Sequence, residues 1–358
     1  MPKNNRKDVA QQRDLNLLYE MYKCRALSTA QVAHIRGLGK WYVYEKLGFL
    51  RNNGYIYTEQ ISGKYILQQN RQGTYHRISG KGITLLKKNG YTIDYTADDI
   101  RLSKHRLPYL LTANDLFLAL QNTGWTYRDS REIKSFHILN RNDMLQGTLT
   151  NPDNSKEYAL YIFLKKVYAT TLMRIKQEIN RNPFESALIT TRGAPSFNSV
   201  IHSFANETDK LIKGGSIKVI PFNFATGYLN ISSDNKAFHE LFLSELGLNL
   251  LNDTSSKNAF ESNTQFDYVV KHNEEEKYFL DLLDNDLMKL EEIKRYRKED
   301  YKRDGKKILA LTSTIKSHVD FHKKMLSDIQ HIEYLVVNPQ EVLAFAQHIQ
   351  QKCFWKES

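Results

Sequence analysis

Over the first 90 residues, apolar positions recur at helical spacing and then switch to alternation. Leu15, Leu18, Met21 and Tyr22 fall on one face of a helix predicted over residues 14–25. Ser28 and Gln31 have the S-x-x-Q spacing of a capping box, in which each side chain satisfies a free amide at a helix start. Val32 and Ile35 give that short helix its inward face, and Gly37 and Gly39 end it. A third helix is expected over about 40–52, with Val43, Leu47 and Leu50 inward. Asn52-Asn53-Gly54 closes it, Gly54 suiting the left-handed position past a helix end. From there the period is that of strands: Tyr55–Gln60, Tyr65–Gln68 and Thr74–Ile78, with Gly63 and Gly73 between them. A last helix, about 80–89, ends at Asn89-Gly90.

Three helices and a small hairpin follow the order of a winged helix-turn-helix, expected over 1–92, with 93–104 as a linker. The remainder contains one pattern twice. Residues 105–228 predict a helix (114–125), a strand around Asp143, a strand (158–164), a helix (170–181), a strand (186–191), a helix (197–212) and a strand (216–221). Residues 229–358 predict the same order: helix 236–248, strands 266–271 and 277–283, helix 288–301, strand 307–313, helix 316–329 and strand 332–337. At an offset of 118, Tyr161, Leu164, Leu172, Ile175 and Lys176 fall on Phe279, Leu282, Leu290, Ile293 and Lys294, which points to duplication. The expected fold class is α/β (α+β overall): a winged helix followed by two tandem α/β units, each a mixed sheet faced by helices.

Charge divides the chain at the same place. The first 90 residues hold 16 Lys/Arg against 5 Asp/Glu, so all of the net +11 lies there, and the other 268 residues carry 35 of each sign. A clustered positive potential suits a polyanion, because binding to phosphates releases condensed counterions. In a winged helix the third helix enters the major groove and the wing touches the backbone. The candidate DNA contacts are therefore Lys40, Tyr42, Lys46 and Arg51 on that helix, and Lys64, Arg71, His76, Arg77 and Lys81 from the wing and its neighbours.

Other classes are disfavoured. No apolar run approaches the roughly 20 residues of a bilayer span, and the polar start lacks the apolar core of a secretory signal, so a cytoplasmic location is expected with no membrane partner. Cys24 and Cys353 lie at opposite ends and neither sits in a CxxC or Cys/His cluster, which disfavours a disulfide framework or a zinc site. No phosphate-binding glycine loop occurs. His318 and His322 are one helical turn apart and read as two surface histidines.

The element order of each α/β unit is that of the restriction-nuclease core, where two carboxylates on adjacent strands share a hard cation that activates water. The second unit supplies Asp267 at a strand start and Asp281 on the next strand, as candidate ligands for Mg²⁺ or Mn²⁺. Glu240 or Glu245 sits on the preceding helix, and Lys294 on the following helix could replace the lysine missing at Leu283. The first unit has Asp143, and Phe163 where Asp281 would be, so it is expected to be inactive.

Three stretches carry a family resemblance. They are the head (LSTAQVAHIRGL, LGFLRNNGYI, TYHRISGKGITLLKKNG), HRLPYLLTANDLFLAL at 105–120, and FDYVV…KYFLDLLDNDLMKLEEIKRYR. The chain resembles the replication-relaxation family of mobile-element proteins, similar to relaxases of the MobC type. The resemblance implies a winged helix joined to a restriction-like fold that acts at the origin of a plasmid or integrative element. It places Asp267 at the first acid and Asp281 at the second, shortened from Glu, with Leu283 departing from the pattern. The leading expectation is a sequence-specific DNA-binding protein for replication or mobilisation. The alternatives are a metal-dependent nicking relaxase using Asp267, Asp281, Lys294 and Glu240, and a winged-helix transcription regulator. Double-stranded origin-like DNA, other replication or transfer proteins and a second copy of the chain are the expected partners.

Overall fold

The computed structural model describes residues 10–61, 73–205, 215–232, 235–253, 266, 268–296 and 298–354. The predicted strand Tyr65–Gln68 and the candidates Lys64, Arg71 and Asp267 lie outside them, as does the side chain of Lys40. The described residues form a mixed α/β structure with fourteen α-helices and three sheets. The chain divides into two units, Met1–Leu118 and Ala119–Ser358.

In the first unit, α1 (Gln12–Lys23), α2 (Thr29–Arg36) and α3 (Lys40–Asn52) are followed by the hairpin of β2 (Ile56–Gln60) and β3 (Thr74–Ile78), and then by α4 (Gly80–Lys88). A two-residue strand, β1 (Leu27–Ser28), adds to the hairpin in the order β1-β3-β2, every pair antiparallel. The capping box at α2 is present: Ser28 Oγ accepts from the Gln31 amide, and Gln31 Oε1 accepts from the Ser28 amide. Gly54 has φ +72°, the left-handed conformation expected past the end of α3. Leu18, Met21, Val32, Val43, Leu47, Leu50, Ile56, Ile78 and Leu86 make one core.

Ile93 and Ile100 are buried in that core, so the stretch expected as a linker is packed structure. The next helix, α5 (Leu107–Leu120), is fixed to the unit through its Asn-Asp pair. Asn114 Nδ2 donates to the carbonyls of Cys24 (3.1 Å) and Ala26 (2.8 Å), and Asp115 accepts from Gln31 Nε2 at 2.8 Å. The Asn-Asp part of the 105–120 motif thus has a structural task, holding α5 against the turn before β1.

The second unit holds two five-stranded sheets of one design. The first runs β4 (Thr126–Asp129), β5 (Gly147–Thr150), β6 (Glu157–Phe163), β7 (Ser186–Thr191), β8 (Ile217–Pro221), in that spatial order. The second runs β13 (Ile332–Val337), β12 (Lys307–Ser313), β11 (Glu275–Asp281), β10 (Tyr268–His272), β9 (Asn249–Asp253). In each, the first three strands in chain order pair antiparallel and the last two join in parallel. Strands β6 and β11 are both seven residues long and start 118 residues apart, so the offset read from sequence is the structural one. Helices α7 (Ala169–Arg181) and α8 (Ala194–Ala205) in the first half match α11 (Leu287–Ile293), α12 (Lys298–Asp304) and α13 (Lys316–Met325) in the second.

Several expectations need correction. Asp143 is not in a strand; it precedes β5, and Arg181 holds its carboxylate at 2.7 Å. The helix expected at 288–301 is broken between α11 and α12. Its last turn tightens to bonds from Arg295 N to Glu292 O and from Tyr296 N to Ile293 O, and Tyr296 packs edge-on against Phe266 and Tyr278. The two predicted units do not form separate cores. Tyr161, Ile175 and Ile189 of the first half and Leu280, Ile293 and Ile308 of the second belong to one buried cluster.

Candidate nucleic-acid interface and buried acidic cluster

Helix α3 buries Val43, Leu47 and Leu50 at three- and four-residue spacing, which turns Trp41, Tyr42, Tyr44, Glu45 and Arg51 outward. Of the predicted contacts, Tyr42, Arg51 and Lys81 are exposed. Lys46 is not available. Its Nζ lies 2.9 Å from Oδ1 of Asp14, a carboxylate with no solvent exposure that also accepts from the Gln11 amide at the start of α1. Arg77 is engaged as well, 3.0 Å from Glu59 Oε1 and stacked 4.4 Å from the centre of the Tyr57 ring. A hydrogen bond from the Tyr75 hydroxyl, with that of Arg77, holds Glu59 below the usual carboxylate range. Burial pushes Tyr75 up to about 12.

His76 is inside the unit, its two ring nitrogens 3.1 Å and 3.0 Å from the hydroxyls of Thr29 and Thr58. Burial lowers its pKa to about 4, so it is neutral near pH 7 and offers no charge to a phosphate. What α3 turns outward is mainly aromatic: Trp41 is 84% exposed, Tyr42 52% and Tyr44 51%. Trp41 and Tyr44 are absent from the contacts expected from sequence, although their spacing opposite Val43, Leu47 and Leu50 marks them as outward.

In the α/β unit the acidic candidates among the described residues do not form an open site. Asp281 ends β11 with no solvent exposure. Its Oδ2 accepts from the Tyr228 hydroxyl at 2.5 Å and its Oδ1 from the Leu283 amide at 2.9 Å. Burial raises its pKa. Lys294 does not reach it, pairing instead with Glu291 at 2.7 Å near the surface. The lysine that does approach is Lys289, whose Nζ donates to the Asp281 carbonyl at 3.3 Å.

Glu240 is half-buried on α10 (Lys236–Glu245), and the residue beside it faces Asp281: His239 Nδ1 lies 4.0 Å from Asp281 Oδ2 and 3.0 Å from the Ile231 carbonyl, to which it donates. The helical period carries the signal, because His239 shares the buried face with Phe242 and Leu243 whereas Glu240 does not. Glu245 lies at the end of the same helix.

The residues after Asp281 complete a junction between the two halves. Asp284 pairs with Lys218 at 3.0 Å, both buried. The Val219 amide donates to the Asp284 carbonyl (3.0 Å), Asn285 Nδ2 donates to the Val219 carbonyl (2.9 Å), and the Ile217 amide donates to Asp286 Oδ1 (3.2 Å). Residues 284–286 thereby satisfy the free edge of β8, and Asp286 also caps α11. A hard divalent cation needs several oxygens and water. Asp281, with both oxygens engaged and no solvent access, does not fit one. Among the described residues no group of three or more His, Cys, Asp or Glu is placed to hold a metal ion.

No family model matches the chain, and no curated protein matches it. Among solved structures, the restriction endonuclease FokI aligns with 66% of this chain at 9% identity and a TM-score of 0.24. The alignment spans 47% of that enzyme's length, and at such a score the likeness carries no argument. No helix among the described residues is long and apolar enough to cross a membrane.

His318 and His322 are also corrected: both are buried. His318 stacks on Phe197 with ring centres 4.3 Å apart, and His322 Nδ1 lies 2.8 Å from the Thr312 hydroxyl. Burial lowers them to about 4 and about 3, so both are neutral core residues.

Proposed function

We propose that this chain is a sequence-specific DNA-binding protein serving the replication or mobilisation of a plasmid or other mobile element. In this reading the first unit is a winged helix, with α3 as recognition helix and the β2–β3 hairpin as wing. The α/β unit is a pair of restriction-nuclease-like folds that acts as a scaffold and does not cut. The observation that carries the reading is the whole net charge of +11 in the first 90 residues, on the unit whose α3 leaves Trp41, Tyr42, Glu45 and Arg51 exposed among the described residues.

The chemistry of the buried acids supports the second half of the reading. A nicking site must admit a phosphodiester and a water. Asp281 instead spends its oxygens on Tyr228 and Leu283 and joins the two halves from inside. The charged groups that act on it are its own neighbours in the fold, His239, Asp284 and Lys289.

Selection of bound duplexes from a random library by the intact chain tests the binding. One enriched motif is expected, and an unenriched pool would contradict specificity. A supercoiled plasmid carrying the selected site, incubated with Mg²⁺ or Mn²⁺, tests the scaffold. The expected result is intact plasmid; nicking that Asp281→Asn abolishes would establish a cutting body instead.

A further inference from the structure

The outward stripe of α3 is Trp41, Tyr44 with Glu45, Gly48 and Arg51, at successive spacings of three and four residues. Its composition is unusual in two ways. The first is Trp41, 84% exposed at the start of the helix with Tyr42 and Tyr44 beside it. A large ring left in water gives up the favourable transfer that burial would bring, so a cluster of such rings marks a contact surface.

The second is Gly48. Mid-helix glycine lowers helix stability relative to alanine. Here a Cβ would meet nothing within 4 Å, and no positive φ demands glycine. Nothing among the described residues needs the missing side chain. A partner that approaches the helix backbone closely does.

We propose that this stripe binds DNA through unpaired bases, with a base stacked on Trp41 and the strand passing across Gly48 to Arg51. The inference rests on the DNA-binding reading above and names the form of DNA. Charge bears on the choice between backbone and bases at the aromatic end. Glu45, exposed next to Trp41 and Tyr44, repels phosphate, whereas the π-face of any base stacks on indole or phenol with about 1–3 kcal/mol per base. Arg51 and Lys81 are exposed cations that suit the phosphates of the same strand. Two of the cations expected to grip an intact groove, Lys46 and Arg77, are held by Asp14 and Glu59.

The test compares the intact chain on one sequence in three forms: perfect duplex, single strand, and duplex with a central unpaired bubble. Fluorescence anisotropy gives the affinities, and tryptophan emission reports on Trp41 as the signal present in the native chain and missing from Trp41→Phe. The expected result is bubble DNA bound about tenfold tighter than perfect duplex, the equivalent of one stacked base, with Trp41 emission quenched. Trp41→Ala removes that preference. Gly48→Ala is expected to raise the melting temperature and yet weaken binding, opposite signs that a purely structural glycine would not give.

Equal affinity for duplex and bubble overturns the inference and leaves the DNA-binding reading standing. No binding to any form overturns both. Blue-shifted Trp41 emission in the free protein, or a solution mass that falls to that of one chain only in Trp41→Ala, assigns the face to another segment or a second copy and also overturns it.

Discussion

Lys46 shows how one side chain can be misassigned when only its charge is known. It flanks the inward positions Val43, Leu47 and Leu50, and that flank meets α1, where Asp14 is buried without solvent access. An acid removed from water needs a partner, and removing one member of such a pair leaves an uncompensated charge. Lys46→Ala is therefore expected to destabilise the first unit by about 3 kcal/mol, read as a lower urea midpoint. Unchanged stability with weaker DNA binding would instead restore Lys46 to the interface. The same logic explains Asp281 and His239. Sequence shows an acid at a strand end and a histidine on a helix. Whether they face solvent depends on Tyr228 and on the β8 edge, both from the other half of the repeat.

Elements with strong apolar periodicity were legible to the residue. The third helix of the head and the strands at 74–78, 186–191, 307–313 and 332–337 form where the pattern places them. Those missed lack that pattern. Strand β4 reads Thr-Tyr-Arg-Asp and β9 reads Asn-Leu-Leu-Asn-Asp, and each exists because a neighbouring strand supplies hydrogen bonds to its backbone. Helix α13 looked solvated at His318 and His322, yet it packs both inward.

That packing makes stability depend on pH. Burial holds the folded pKa of His318 to about 4 and of His322 to about 3, below the ordinary 6.5. The unfolded chain therefore takes up protons first, and the stability these residues contribute is present above pH 6.5 and is lost as pH falls toward about 4. Asp281, raised by burial, acts with the opposite sign. His322→Gln is expected to flatten the fall in melting temperature across that window. An unchanged slope would mean that His322 is already solvated in the folded chain.

At the scale of the molecule, duplication was legible because both halves keep the same element order and an offset of 118 between β6 and β11. What the duplication did to the second half was not. Residues 284–286 close the β8 edge of the first half, so the stretch that resembled an acidic active site is the seam of one body. The charge split acquires its meaning from that arrangement. With balanced charge in the body and Asp281, Asp284 and Asp286 buried there, the basic head is the part proposed to meet a polyanion.

The proposal that the basic head binds DNA is tested most simply by the salt dependence of duplex binding by the intact chain, native against Arg51→Gln/Lys81→Gln. Each phosphate contact adds roughly 0.9 to the slope of log affinity against log salt. A steep negative slope is expected for the native chain and one shallower by about 1.8 for the double variant, with the melting temperature unchanged. A slope identical in both proteins, or affinity that does not respond to salt, would contradict it.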